Sequence, residues 1–287
     1  MDDTGRVREE PLRRLVDFLI EAGCSAMVPV GGTGEYTALS PAERLRCVEI
    51  TVDQTSGRVP VVAGILSPGY AEAVEIGKQL KDAGSDALLM ISPFYARAEQ
   101  PELRKYFSKY SADLDCDILY YDMPGRTGFI TTAETVAAME QDGSICGMKC
   151  CSIDTHYFNR LATKVSPDFA LLSGEDTHYP IHALMGATGG ILATSTVLPH
   201  YWVEIHNMIE AGDFRGAMKA QQALLPFLDA IFAETNPGPL KYVIEMLGLP
   251  FGEAMLPLKP PSEGIRAKLD VIVEDLLEQG KIRAIAA

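Results

Sequence analysis

The chain has 287 residues, 47% apolar and 22% charged, enough to bury a substantial core as one large domain or as a domain with an appendage. A formal net charge of −14 excludes a broad basic surface for nucleic acid. No run of about 18 apolar residues predicts a membrane span, and the polar start MDDTGRVREE is unlike a secretion signal.

In chain order, LRRLVDFLI opens the pattern by placing Leu12, Leu15, Val16 and Leu19 on one helical face. Ser40-Pro41-Ala42-Glu43 combines a capping box with proline at the first helical position, so a helix starts there. Short apolar runs at 25–30, 59–65, 86–91, 117–122, 145–149, 169–173 and 190–194 predict strands. Amphipathic segments at 10–22, 41–55, 69–83, 100–112, 132–141, 154–165 and 178–186 predict the helices between them. Such alternation implies a parallel sheet covered by helices, and seven strands of one pattern favour a closed (β/α)8 barrel. Beyond about residue 199 three stretches read as helices: PHYWVEIHNMIEAG, FRGAMKAQQALLPFLDAIFAE and EGIRAKLDVIVEDLLEQG. The predicted division is a barrel over 1–212 and a helical region over 213–287. An eighth strand is wanting, because nothing before the first helix reads as one. An unclosed barrel leaves unpaired edges, so a first strand is expected to be missing from this chain, with a gap or substitute cover beside 25–30.

The stretch VPVGGTGEYT raises the question of a ligand. It lacks the lysine of a phosphate-binding P-loop, and its glycines do not fit the G-x-G-x-x-G spacing. A strain-relieving turn and an anion cradle built from backbone N–H groups and the Thr33 hydroxyl both remain open. The other strand ends, where parallel barrels gather their chemistry, supply Tyr95, Tyr121, Arg126, Lys149 and Ile191. A lysine ending an apolar strand either snorkels to solvent or is kept as a nucleophile with a depressed pKa. Lowering it from about 10.4 toward 7 costs about 4–5 kcal/mol. With Tyr121 to shuttle a proton and Gly31–Thr33 to grip a carboxylate, Lys149 has the companions that imine formation with a 2-keto acid needs. Tyr121 read alone is a core aromatic, and Arg126 read alone a surface ion pair. The six cysteines show no C-x-x-C spacing and predict reduced thiols in a cytoplasmic protein. The scattered histidines suggest no metal site.

Together GGTGEYTALSPAER, YYDMPGRTG and GMKCCSID resemble the motifs of the dihydrodipicolinate synthase and N-acetylneuraminate lyase family, over almost the whole chain. The resemblance implies a class I aldolase-type barrel in which Lys149 forms the imine and Tyr121 relays protons. It implies that Thr33, beside Gly32, holds the keto-acid carboxylate, that Ile191 lends its backbone carbonyl, and that Arg126 receives a second carboxylate. Tyr95 matches a tyrosine lent to a neighbouring subunit, implying a homo-oligomer, usually a dimer of dimers. The expected activity is condensation of pyruvate with an aldehyde, without metal or cofactor, nucleic acid or membrane. The alternatives are a keto-deoxy sugar acid dehydratase or aldolase, and a keto-acid-binding protein without turnover. Gly32 departs from the synthase pattern by lacking a hydroxyl. Asp122 stands where the family has Asn, and Cys150-Cys151 where it has an acidic–Ser pair.

Overall fold

The computed structural model describes residues 1–2, 4–96 and 98–285. They divide into two compact units, one of residues 1–61 and 193–287 and the other of residues 62–192.

The second unit is a six-stranded parallel sheet ordered β1 to β6 in sequence. Its strands are β1 (Val62–Ile65), β2 (Ala87–Ile91), β3 (Asp117–Asp122), β4 (Gly147–Cys150), β5 (Ala170–Ser173) and β6 (Gly189–Gly190). Helices Tyr70–Asp82, Gln100–Leu114, Ala133–Gln141, Thr155–Ala162 and Tyr179–Met185 connect successive strands, as the apolar spacing predicts. Parallel strands need such crossovers, and helices on the sheet explain why the strands read as near-continuous apolar runs. All four residues of β1 are buried, and the connecting helices bury Leu103, Phe107, Val136, Phe158 and Leu161. Gly147 allows β4 to approach β5 closely, because a Cβ there would lie 2.7 Å from the Ala170 Cβ and 2.8 Å from its carbonyl oxygen.

The expected strand over 25–30 does not form. Met27 makes a single parallel bridge to Val61, its N–H donating to Pro60 O at 2.9 Å. Pro29 then offers no N–H to a ladder, and Val30 turns at φ +50°, a conformation hostile to a β-branched residue. A mostly apolar cavity of about 200 Å³ borders this segment, lined by Leu12, Leu15, Leu19, Met27, Val30 and Leu240. The expected strand over 190–194 also shrinks to β6, and a 3₁₀ turn follows at Thr194–Thr196.

In the first unit, helix Glu9–Glu21 buries Leu15 and Val16, with Leu12 and Leu19 packed on the Val16–Met27–Val61 cluster. Helix Pro41–Thr55 begins as predicted, Ser40 Oγ accepting from Glu43 N at 3.3 Å. The box is not reciprocal, however: Glu43 Oε2 accepts from Val7 N at 2.7 Å. Helices Pro199–Glu210 and Glu263–Glu278 match their predictions, but the stretch between them breaks into Phe214–Gln222 and Leu225–Phe232. Pro226 explains the break, since its ring fits only the first turn of a helix. Helix Gly238–Met246 and the short turn Pro124–Thr127 were not expected from the pattern. No helix among the described residues is long and apolar enough to cross a membrane, and the six cysteines are free.

Candidate active site

Strand register builds the centre of the site. Parallel pairing of β3 with β4 sets Tyr121 beside Lys149 and Asp122 beside Cys150. Side chains alternate across a strand, so Tyr121 and Lys149 share one face of the sheet. Lys149 Nζ lies 4.6 Å from the centroid of the Tyr121 ring, within cation–π reach. Tyr121 is 6% exposed. Backbone bonds fix both strand ends, Ser92 N donating to Tyr121 O at 3.3 Å and Cys151 N to Asp122 O at 3.0 Å.

The loop after β5 completes the surroundings of the amine. Gly174 lies so close that a Cβ on it would sit 2.9 Å from Lys149 Cε and 2.1 Å from Cys151 Sγ. Cys151 Sγ in turn donates to Gly174 O at 3.4 Å. Next along this loop come Glu175 and Asp176, the latter 3% exposed. Burial, the Asp176 carboxylate and then the opposing pull of Lys149 leave Glu175 pushed up to about 7.

The expectation of a depressed amine is not met. Burial works downward on Lys149 and is the largest single influence. Cys151, Tyr121, Asp176 and Glu175 together outweigh it, and the Lys149 pKa lies above its ordinary value. Burial pushes the Tyr121 phenol up and the Cys151 thiol to about 12. Both are therefore neutral near pH 7, where their upward pull on Lys149 is not exerted, and the acids after β5 are the groups left to act on the amine. Sequence reading missed this pair as part of the site; the signal was present in SGED at the end of an apolar strand.

The remaining candidates are dispersed. Arg126 is exposed on the turn Pro124–Thr127, near enough to Tyr121 to influence its phenol. Ile191 is half-buried and docks on β5 through its N–H to Ser173 O at 2.8 Å. Tyr95 is fully exposed at φ +71°, apart from these residues. Gly32 and Thr33 belong to the other unit. There the N–H groups of Glu35 and Tyr36 are spent on Gly32 O and Gly31 O, each at 3.3 Å, so a cradle cannot use them. Thr33 Oγ1 accepts from Asn236 Nδ2 at 2.9 Å, which leaves its own O–H as a donor. Glu35, at φ +55°, anchors the loop through a buried ion pair with Lys241 at 2.8 Å and accepts from Met255 N at 2.7 Å.

Comparison with known proteins bears on this arrangement. A family model described as the dihydrodipicolinate synthetase family matches residues 1–276. The 4-hydroxy-tetrahydrodipicolinate synthase of Methanopyrus kandleri is 38% identical over 270 residues, covering 93% of this chain and 90% of that protein. A crystal structure of dihydrodipicolinate synthase matches with a TM-score of 0.90 at 34% identity, over 96% of this chain and 94% of that one. A chloride-inhibited dihydrodipicolinate synthase from Acinetobacter baumannii, complexed with pyruvate, matches with a TM-score of 0.91 at 28% identity, over 98% and 96%. Likeness of that extent assigns the α/β barrel fold of those enzymes to this sequence. The chain belongs to the dihydrodipicolinate synthetase family.

Proposed function

We propose that the chain is a Schiff-base lyase, a 4-hydroxy-tetrahydrodipicolinate synthase-like enzyme that condenses pyruvate with an aldehyde bearing a carboxylate. The observation that carries the reading is the Lys149 amine held over the Tyr121 ring at the paired ends of β3 and β4. Because the resting amine is an ammonium, the first chemical act is loss of its proton. Glu175, with a pKa near 7, is the carboxylate best matched to receive it. Lys149 Nζ then attacks the keto carbon of pyruvate, and Tyr121 protonates the departing hydroxyl as water leaves. In the resulting imine the nitrogen draws electrons from the C3–H bond, whose proton passes to the Tyr121 oxygen that gave up its own, leaving an enamine whose carbon adds to the aldehyde. Thr33, with Gly32 beside it, holds the pyruvate carboxylate by its O–H. Ile191 offers its carbonyl, and the exposed guanidinium of Arg126 takes the second carboxylate. No metal or organic cofactor takes part in this sequence.

Tyr95, wholly exposed at a strained φ, is read as a residue inserted into another copy of the chain. The working form is accordingly a homo-oligomer, a dimer of dimers, in the cytoplasm. Gly32 supports a second reading, because it supplies no hydroxyl to a relay. On that reading the same enamine expels water from a keto-deoxy sugar acid or is released by aldol cleavage of one.

Borohydride reduction with pyruvate tests the common step. A mass gain on the peptide bearing Lys149, lost in Lys149→Ala, is the expected result, whereas a protein that binds keto acids without turnover gains none. Consumption of pyruvate dependent on aspartate semialdehyde then supports condensation. Pyruvate release from keto-deoxy sugar acids supports cleavage instead.

A further inference from the structure

Directly behind the reaction centre lies a carboxyl that the mechanism above does not use. Asp122 follows Tyr121 on β3 and so points to the opposite face, toward the helices. It is 1% exposed, and no ion pair reaches it among the described residues. Its partners are hydroxyls. The Tyr120 and Thr131 hydroxyls bond to each other and lie 3.3 and 3.5 Å from Asp122 Oδ1, so one of their two protons joins the pair and the other is left to donate to the carboxyl. The buried Tyr157 hydroxyl, from helix Thr155–Ala162, interacts with the carboxyl electrostatically but makes no hydrogen bond of normal geometry.

We propose that Asp122 is a positioning residue whose buried carboxyl, with Tyr120, Thr131 and Tyr157, locks the end of β3 and keeps Tyr121 in register with Lys149. The inference rests on the reading of Lys149 and Tyr121 as the reaction centre.

A neutral carboxyl carries one donor and an acceptor, so it accepts from whichever of Tyr120 and Thr131 still has its proton and keeps its own to offer toward the oxygen of Tyr157. An ionised one has only acceptors, sits out of water and lacks a cation to offset its charge. Burial accordingly pushes Asp122 up to about 7, the three hydroxyls pulling less strongly the other way. The titratable groups that face it are Tyr120 on its own strand, Cys150 on β4 and Tyr157 on the helix. Burial pushes each of these upward, so each is neutral near pH 7. Asp122 is thus the member of the cluster whose charge changes there. Thr131 ties the network to the segment after the Arg126 turn, and the Asp122 carbonyl holds Cys151 N. A rearrangement around the carboxyl therefore reaches both neighbours of the amine.

The test uses the full chain and Asp122→Asn, which keeps size and an acceptor but cannot ionise. The rate of pyruvate-dependent borohydride trapping on Lys149 is followed from pH 6 to 8.5 in both proteins, with hydrogen exchange of residues 118–131. The expected result is a fall of about tenfold in the ratio of native to variant rate across a midpoint near 7. Exchange, corrected for the base-catalysed rise in intrinsic rate that every amide shows with pH, should lose protection over the same interval in the native protein alone. A ratio flat with pH overturns the proposal. If Asp122→Asn does not fold, Tyr157→Phe serves, since loss of a hydroxyl able to donate to the anion should move the inflection to higher pH. An unmoved inflection then overturns it. If the native protein forms no adduct at any pH, the imine reading fails, and the exchange inflection alone decides whether Asp122 locks β3.

Discussion

At the scale of single residues, room around the amine is the tightest constraint. Gly174→Ala would place its Cβ 2.1 Å from Cys151 Sγ and 2.9 Å from Lys149 Cε. Overpacking of this kind costs about 1–3 kcal/mol, and here the atom displaced is the one that carries the nucleophile. The variant should unfold earlier in urea and form the pyruvate adduct far more slowly. Adding Cys151→Ala removes the nearer of the two clashes and should restore stability more than adduct formation; equal recovery of both would show that Lys149 is not displaced. Arg126 predicts the opposite pattern. Arg126→Ala removes an exposed guanidinium, so folding and pyruvate trapping should be unchanged. The KM for an aldehyde with a distal carboxylate should rise about 10- to 100-fold. A matching loss of the pyruvate adduct would contradict the role given to Arg126.

At the scale of elements, the glycine-rich turn depends on its acid as well as on the close fit of Gly34, where a Cβ would lie 2.9 Å from Val30 N. Glu35 is 5% exposed, paired with Lys241 of helix Gly238–Met246, and also receives Met255 N. Glu35→Ala leaves a buried ammonium unpaired, at a cost of about 3–5 kcal/mol, whereas replacing both partners with apolar residues of similar volume should cost much less. Denaturant midpoints of the single and double variants check this, and equal losses would mean that the pair's hydrogen bonds to the backbone dominate. None of this was legible in VPVGGTGEYT, because the partner of Glu35 lies 206 positions away. Local patterns were legible for the same reason that this one was not. The spacing of Leu12, Leu15, Val16 and Leu19 and the Ser40–Pro41 start depend on neighbours within a few residues. The apolar run at 25–30 misled because a strand needs a ladder, and Pro29 and the turn at Val30 end pairing after one bridge. Lys149 and Tyr121 were found because strand ends in a parallel sheet share an edge. The sign of the shift on Lys149 was not, since burial is outweighed only by Cys151, Tyr121, Asp176 and Glu175 together, groups gathered from three separate segments.

At the scale of the molecule, the balance of charge sets a pH window for stability. Asp122 and Glu175 are each pushed up to about 7 in the folded chain, well above the value of about 4 they take when unfolded. Between those limits the folded state holds more protons than the unfolded one, so stability falls as pH rises through that interval and levels off above 7. His182 acts at the other end. Fully buried and bonded through Nδ1 to Ser173 Oγ at 2.8 Å, it is pushed down to about 4 by burial. Its contribution is whole above about 6.5 and is lost as pH falls. The formal charge of −14 adds self-repulsion that grows as these carboxyls ionise. With the N-terminus acetylated, which removes the opposing rise from the Met1 amine that burial pushes down to about 6, thermal unfolding at fixed protein concentration should therefore show a lower midpoint at pH 8 than at pH 6. Added salt, which screens repulsion between exposed charges but hardly reaches buried ones, should close part of the difference at pH 8. The remainder should shrink in Asp122→Asn. A midpoint that climbs from pH 6 to 8 would mean that both carboxyls are ionised at little cost in the fold, and that cations or water reach them where the packing of β3 and the β5 loop leaves them unpaired.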